Sequence, residues 1–80
     1  MKCDEYFIET VLEMTPGSTL NCQTFEFTVH RYEDCWVVLL DDPAPGACLG
    51  RELANESELR KFLGGDINSG KEVVAPRLTD

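Results

Sequence analysis

Positive charge is scarce in this chain. Seven lysines and arginines stand against 15 aspartates and glutamates, giving a net charge of −8 and a pI near 4.4. A surface of that sign repels nucleic acid and anionic membrane and attracts basic partners. Histidine occurs once, at His30, and Cys3, Cys22, Cys35 and Cys48 never approach C-x-x-C spacing. That removes the paired-ligand pattern of a zinc site and the dithiol motif of a redox enzyme. No apolar run approaches the roughly 18 residues of a membrane helix. Asp4 and Glu5 interrupt the start, where a signal peptide would need apolar residues. The expected setting is therefore the cytoplasm of a host cell, with the cysteines acting as small apolar residues. In an oxidising compartment the same four cysteines would allow three disulfide connectivities, and their spacing does not choose among them. Internal repeats, linkers and low-complexity stretches are also absent, so residues 1–80 are expected to form one domain.

What the chain does have is one apolar block, Cys35-Trp36-Val37-Val38-Leu39-Leu40. It is too short for a buried helix and is bounded by Glu33-Asp34 and Asp41-Asp42-Pro43. An unbroken apolar run rich in branched and aromatic side chains predicts a strand at the centre of a sheet, covered on both faces.

The remaining elements are placed around it. Residues 4–14 read as an amphipathic helix. Asp4 is the N-cap, Cys3, Phe7, Val11 and Met14 lie on the buried side widened by Ile8 and Leu12, and Glu5, Glu9 and Glu13 form an acidic ridge. Tyr6, Ile8, Thr10 and Leu12 also alternate, so a strand competes with the helix there. After a loop through Gly17-Ser18-Thr19, residues 23–31 alternate as a half-buried strand with Phe25, Phe27 and Val29 facing inward. Tyr32-Glu33-Asp34 turns it into the central run, with no Asn-Gly or Asp-Gly to fix the turn type. Residues 42–46 connect to a third strand at about 47–53. Asn55 and Glu58 have the spacing of a capping box, in which Glu58 reaches back to the Asn55 amide. They open a short helix that buries Leu59, Phe62 and Leu63 and ends with Gly64 in the left-handed conformation. Residues 65–71 form a loop, and residues 72–75 a short last strand. The expected fold is α+β: a small antiparallel sheet of three to four strands with two short helices, in the order α-β-β-β-α-β.

Three patterns resemble chemistry and each fails on a specific requirement. Gly65-Asp66-Ile67-Asn68-Ser69-Gly70-Lys71 fits G-x-x-x-x-G-K, but Glu72 occupies the Ser/Thr position and the loop follows a helix. Asp66, Asn68 and Glu72 are calcium-like, but the glycine falls at the fifth place and the bidentate Glu is missing. Cys35 and His30 flank one turn, but acidic surroundings disfavour a thiolate. No metal, cofactor or enzymatic activity is expected.

The acids remain. Residues 1–58 hold 12 of them against Lys2, Arg31 and Arg51, so the acidity belongs to the body of the domain. Rows of fixed carboxylates serve solubility, and they also imitate a phosphate backbone in a groove built for nucleic acid. The candidate partner-binding residues are Glu5, Glu9, Glu13, Glu33, Asp34, Asp41, Asp42, Glu56 and Glu58, with Tyr32 as an aromatic anchor.

Two resemblances agree with a binding role. The hairpin, third strand and capped helix Gly50-Arg51-Glu52-Leu53-Ala54-Asn55-Glu56-Ser57-Glu58-Leu59-Arg60-Lys61-Phe62-Leu63 resemble small acidic phage anti-CRISPR proteins over about residues 22–65. That resemblance implies a non-enzymatic inhibitor that blocks the nucleic-acid surface of a Cas effector. Trp36-Val37-Val38, Asp42-Pro43-Ala44-Pro45-Gly46-Ala47-Cys48, Gly50 and Glu56-Ser57-Glu58-Leu59 are similar to the partial RNase-H-like domain of HicB-type antitoxins. An inserted residue before Cys48, a shorter helix and an added N-terminal helix depart from that pattern. The second resemblance implies an antitoxin that neutralises a small basic RNase toxin. Both imply a basic protein surface as partner, with no direct contact to nucleic acid or membrane, and both monomer and homodimer stay open.

Overall fold

A computed structural model describes residues 2–74 of the chain. It contains α1 (Glu5–Leu12), β1 (Thr19–Cys22), β2 (Phe27–Arg31), β3 (Trp36–Leu40), β4 (Gly50–Leu53), α2 (Glu56–Leu63) and β5 (Lys71–Val73). The strands form one antiparallel sheet in chain order, β1-β2-β3-β4-β5. The α+β class and the two helices agree with the sequence reading; the sheet has five strands where three to four were expected. The additional strand is β1. Residues 23–26, assigned above to the start of a strand, are instead the turn between β1 and β2, with Glu26 at a left-handed φ of 57°. The third strand begins at Gly50, later than expected, and the last spans Lys71–Val73. Of the stretch expected to form that last strand, Ala75 lies outside the described residues.

The apolar block does become the central strand. Trp36 and Val38 join Phe27, Val29 and Leu53 on one face of the sheet, where Ile8 and Val11 of α1 and Leu59, Phe62 and Leu63 of α2 close the core. The second face is covered differently from the expectation, because no helix lies on it. Val37 is nonetheless only 1% exposed. In the middle of five strands its neighbours shield it, with His30 and Glu52 as its cross-strand partners.

Each helix has only eight residues, too few to be stable alone, so caps and docking must hold both. The Asp4 carboxylate accepts from the Phe7 N–H at 2.8 Å, which selects helix over strand at this end. The Cys3 N–H donates to the Leu63 carbonyl at 2.7 Å and ties the chain start to α2. At α2 the Asn55 side chain accepts from the Glu58 N–H at 2.9 Å. The Glu58 carboxylate accepts from the Ala54 N–H rather than from Asn55, one residue further back than a standard capping box. At the other end Gly64 stays right-handed with φ −84°, and Gly65 takes the left-handed turn at φ 118°. The left-handed residue therefore falls one position later than expected, because the Gly64 N–H still donates to the Arg60 carbonyl. Gly65 and Asp66 then donate to the Phe62 and Lys61 carbonyls, which completes a Schellman closure.

Two side chains lock the layers together. The Trp36 indole N–H donates to the Val11 carbonyl at 3.0 Å in the interior, joining the end of α1 to the central strand. Arg31 lies 4.2 Å above the same ring and donates to the Cys35 carbonyl at 3.0 Å and to the Tyr32 carbonyl, closing the β2–β3 turn. On the far side, Arg51 reaches from β4 to the carbonyls of Asn68, Ser69 and Gly70, and the buried Ser69 hydroxyl donates to the Glu58 carbonyl. Gly70 sits at φ +83°, and a Cβ there would meet the Glu52 carbonyl oxygen and Leu53 Cδ2 at 2.5 Å.

These contacts set two expectations. Trp36→Phe keeps an aromatic ring but removes the indole donor that ties the Val11 carbonyl to the central strand, leaving that carbonyl only its Met14 N–H, and should cost about 1–3 kcal/mol in urea denaturation followed by circular dichroism. Gly70→Ala combines left-handed strain with a backbone clash and should cost about 2–4 kcal/mol in the same measurement. An unchanged midpoint for either would remove the role assigned to that contact.

Candidate functional site

The predicted acids do not form one patch. Glu5 and Glu9 of α1 and Glu56 of α2 converge on Arg60, whose guanidinium donates to their carboxylates at 2.9, 2.8 and 2.8 Å. Glu33 and Asp34 occupy the β2–β3 turn, and Asp41 and Asp42 follow the other end of β3. A five-residue strand separates those two groups by about 15 Å.

Several of the acids are committed inside the fold. The Asp41 carboxylate accepts from the Thr28 hydroxyl at 2.8 Å and from the Asn21 amide at 3.0 Å, bracing the strand ends on the helix-free face. Glu58 caps α2, as described above. Asp34 lines a shallow depression with Val37, Glu52 and Lys71. Glu13, Glu33 and Asp42 are exposed, and their side chains make no ion pair among the described residues. Tyr32, the predicted anchor, is half-buried, with its N–H donating to the Cys35 carbonyl at 2.9 Å.

Two features were not singled out from the sequence. Tyr6 is 82% exposed on α1. It lies three and seven residues before Glu9 and Glu13, on the same side of the helix. The second is a groove beside α2 lined by Phe25, Phe27, Val38, Leu40, Phe62 and Ile67. Its signal in the sequence was Ile67, one large apolar residue in a loop of Gly, Asp, Asn and Ser.

The other chemical candidates find no support in the geometry. The loop at residues 65–70 turns carbonyls toward Arg51 and uses the Asn68 and Ser69 N–H groups on Asp66, the reverse of a phosphate cradle. Cys3 and Cys35 are buried, Cys22 and Cys48 are half-buried, and all four are free thiols. Burial pushes the Cys3 thiol up to about 11, far from a reactive thiolate. The Cys48 thiol donates to the Gly50 carbonyl at 3.0 Å. Among the described residues no group of three His, Cys, Asp or Glu is placed to hold a metal ion, and no helix is long and apolar enough to cross a membrane.

The Arg60 cluster makes a pH prediction. The hydrogen bond from Arg60, assisted by Glu9, holds the Glu5 carboxyl below its usual 4.5. The unfolded chain titrates at the usual value, so this contribution is complete above 4.5 and is lost as pH falls through the lower folded value. Both partners are on the surface, so the effect is small and screened by salt. Glu5→Gln should therefore flatten the fall in urea stability between about pH 6 and about pH 3, and 1 M salt should narrow the gap. Parallel curves for the two proteins would show that the cluster does not contribute. The scan against protein-family models matches none, and comparison with curated proteins and with solved structures finds no similar protein.

Proposed function

We propose that this chain is a non-enzymatic acidic binding protein that occupies the nucleic-acid surface of a basic partner in the host cytoplasm, as phage anti-CRISPR proteins do with Cas effectors. The observation that carries the reading is where the three arginines of the described residues go. Arg31 and Arg51 direct their donors to backbone carbonyls, and Arg60 holds three glutamates. With those guanidiniums occupied internally, the surface acids Glu13, Glu26, Glu33 and Asp42 have no ion-pair partner among the described residues. Glu5, Glu9 and Glu56 are moreover fixed in position by Arg60. Spaced, oriented carboxylates of this kind imitate a phosphate row and steer association with a cationic groove. Tyr6, exposed on the same helix as Glu9 and Glu13, supplies an aromatic contact suited to an interface.

The test is a tagged pull-down from host lysate at low and high salt, with the retained proteins identified by mass. A triple variant, Glu13→Lys with Glu33→Lys and Asp42→Lys, runs beside the wild type, since these side chains have no ion-pair partner to lose among the described residues. The expected result is recovery of a basic nucleic-acid-handling complex that weakens as salt rises and is lost in the variant. A small basic RNase in its place would favour the antitoxin alternative. A partner indifferent to salt and to the variant would overturn the acidic-interface reading.

A further inference from the structure

Among the described residues, the two helices leave one corner of the sheet's apolar face uncovered. α2 is only two turns long, and past Phe62 the chain turns away through the Schellman closure. The uncovered corner is a groove of about 390 Å³ whose walls are Phe25, Phe27, Val38, Leu40, Phe62 and Ile67. Phe27 and Val38 form the closed floor, each 1% exposed, while Leu40 at 45% and Ile67 at 61% stand on the rim.

The loop that carries Ile67 is hydrogen-bonded on both sides of it. Asp66 accepts from the Asn68 N–H through its carboxylate and from the Ser69 N–H through its carbonyl, and Arg51 fixes the next three carbonyls. A rim residue on so constrained a loop is pre-organised for contact and has little freedom to lose on binding.

The charge around the groove says what kind of side chain fits it. Each rim segment carries an acid next to its apolar residue: Glu26 between Phe25 and Phe27, Asp42 two residues after Leu40, and Asp66 before Ile67. Arg51, a base that lines the groove, has its guanidinium engaged by the three loop carbonyls. A second copy of this chain would bring acids against acids, each copy carrying −8, which disfavours self-association at this face. A neutral apolar ligand would leave the acidic rim unused.

We propose that this groove seats one bulky apolar side chain presented on a lysine- or arginine-flanked segment of the basic partner. The proposal rests on the basic-partner reading above and adds the place and chemistry of the anchor. The floor desolvates the apolar group, and the acidic rim takes the flanking cations, a division of labour common to interfaces whose energy sits in a few anchors.

The experiment titrates the ¹⁵N-labelled full chain with two synthetic peptides of equal positive charge. One carries a single central Phe between lysines, and in the other that Phe is replaced by Ser. The Phe peptide should shift the amides of Phe25, Phe27, Leu40 and Ile67 and bind about tenfold more tightly than its Ser counterpart. Salt should weaken it, and Ile67→Ser, an exposed loop change that keeps the spectrum dispersed, should erase the difference between the peptides. Equal binding of both peptides without shifts at those residues would overturn the groove and leave the acidic reading standing. Preference for Phe that ignores salt would overturn the cationic occupant. Concentration-dependent shifts at Leu40 and Ile67 without peptide, abolished by Ile67→Ser, would overturn it in favour of a second copy. If neither peptide binds, the groove and the basic-partner reading are overturned together.

Discussion

At the end of α1, the Val11 carbonyl accepts from the Met14 N–H at 3.2 Å, and the indole N–H of Trp36 reaches the same oxygen across the core at 3.0 Å. Helix ends leave such groups open, and a buried one must be met by something. Here the second donor belongs to Trp36 of the central strand, whose ring is also covered by the Arg31 guanidinium and packed among core residues from both helices. One side chain therefore fixes the distance from α1 to the sheet and the geometry of the β2–β3 turn. An eight-residue helix has little stability of its own, so its position is set by what it docks on.

The same shortness of the helices determines the surface. Two turns of α2 and two of α1 bury Leu59, Phe62, Leu63, Ile8 and Val11 completely or nearly so. They cannot also roof the corner at Leu40, and the groove is what a small domain leaves when its sheet is wider than its helix layer. On the opposite face, the polar pairs Asn21–Thr28 and the Asp41 carboxylate braced on them let the sheet meet solvent without a second layer.

Much of the fold was legible in the sequence, and the reasons are local. The apolar block at residues 35–40 has one stable solution, a central strand, and Asp4 and Asn55 are side chains whose capping chemistry acts within three residues. What escaped was the hairpin that contains β1. Its turn has Glu26, not glycine, in the left-handed conformation, so no punctuation separated Cys22 from Phe27. Phe25 continued the alternation of the strand by composition while standing in the turn, where its ring stacks on Phe27 at 6.3 Å. The acids could be enumerated from the sequence but not grouped. Arg60 lies 55 and 51 residues from Glu5 and Glu9, and no local rule connects residues so far apart.

That long-range pairing changes the meaning of the charge count. A net charge of −8 is a bulk property, which solubility alone accounts for. Three arginines with internal duties are a more specific fact. Guanidinium groups stack on rings and cross-link carbonyls in ways an ammonium cannot, so the fold uses arginine at Arg31, Arg51 and Arg60 for structure. The lysines of the described residues, Lys2, Lys61 and Lys71, are all exposed and are outnumbered by the acids around them. An acidic exterior beside an unroofed apolar corner is thus a consequence of how this small core is assembled. Like charges around that corner oppose its pairing with itself, and the same charges would attract a cation-bearing segment.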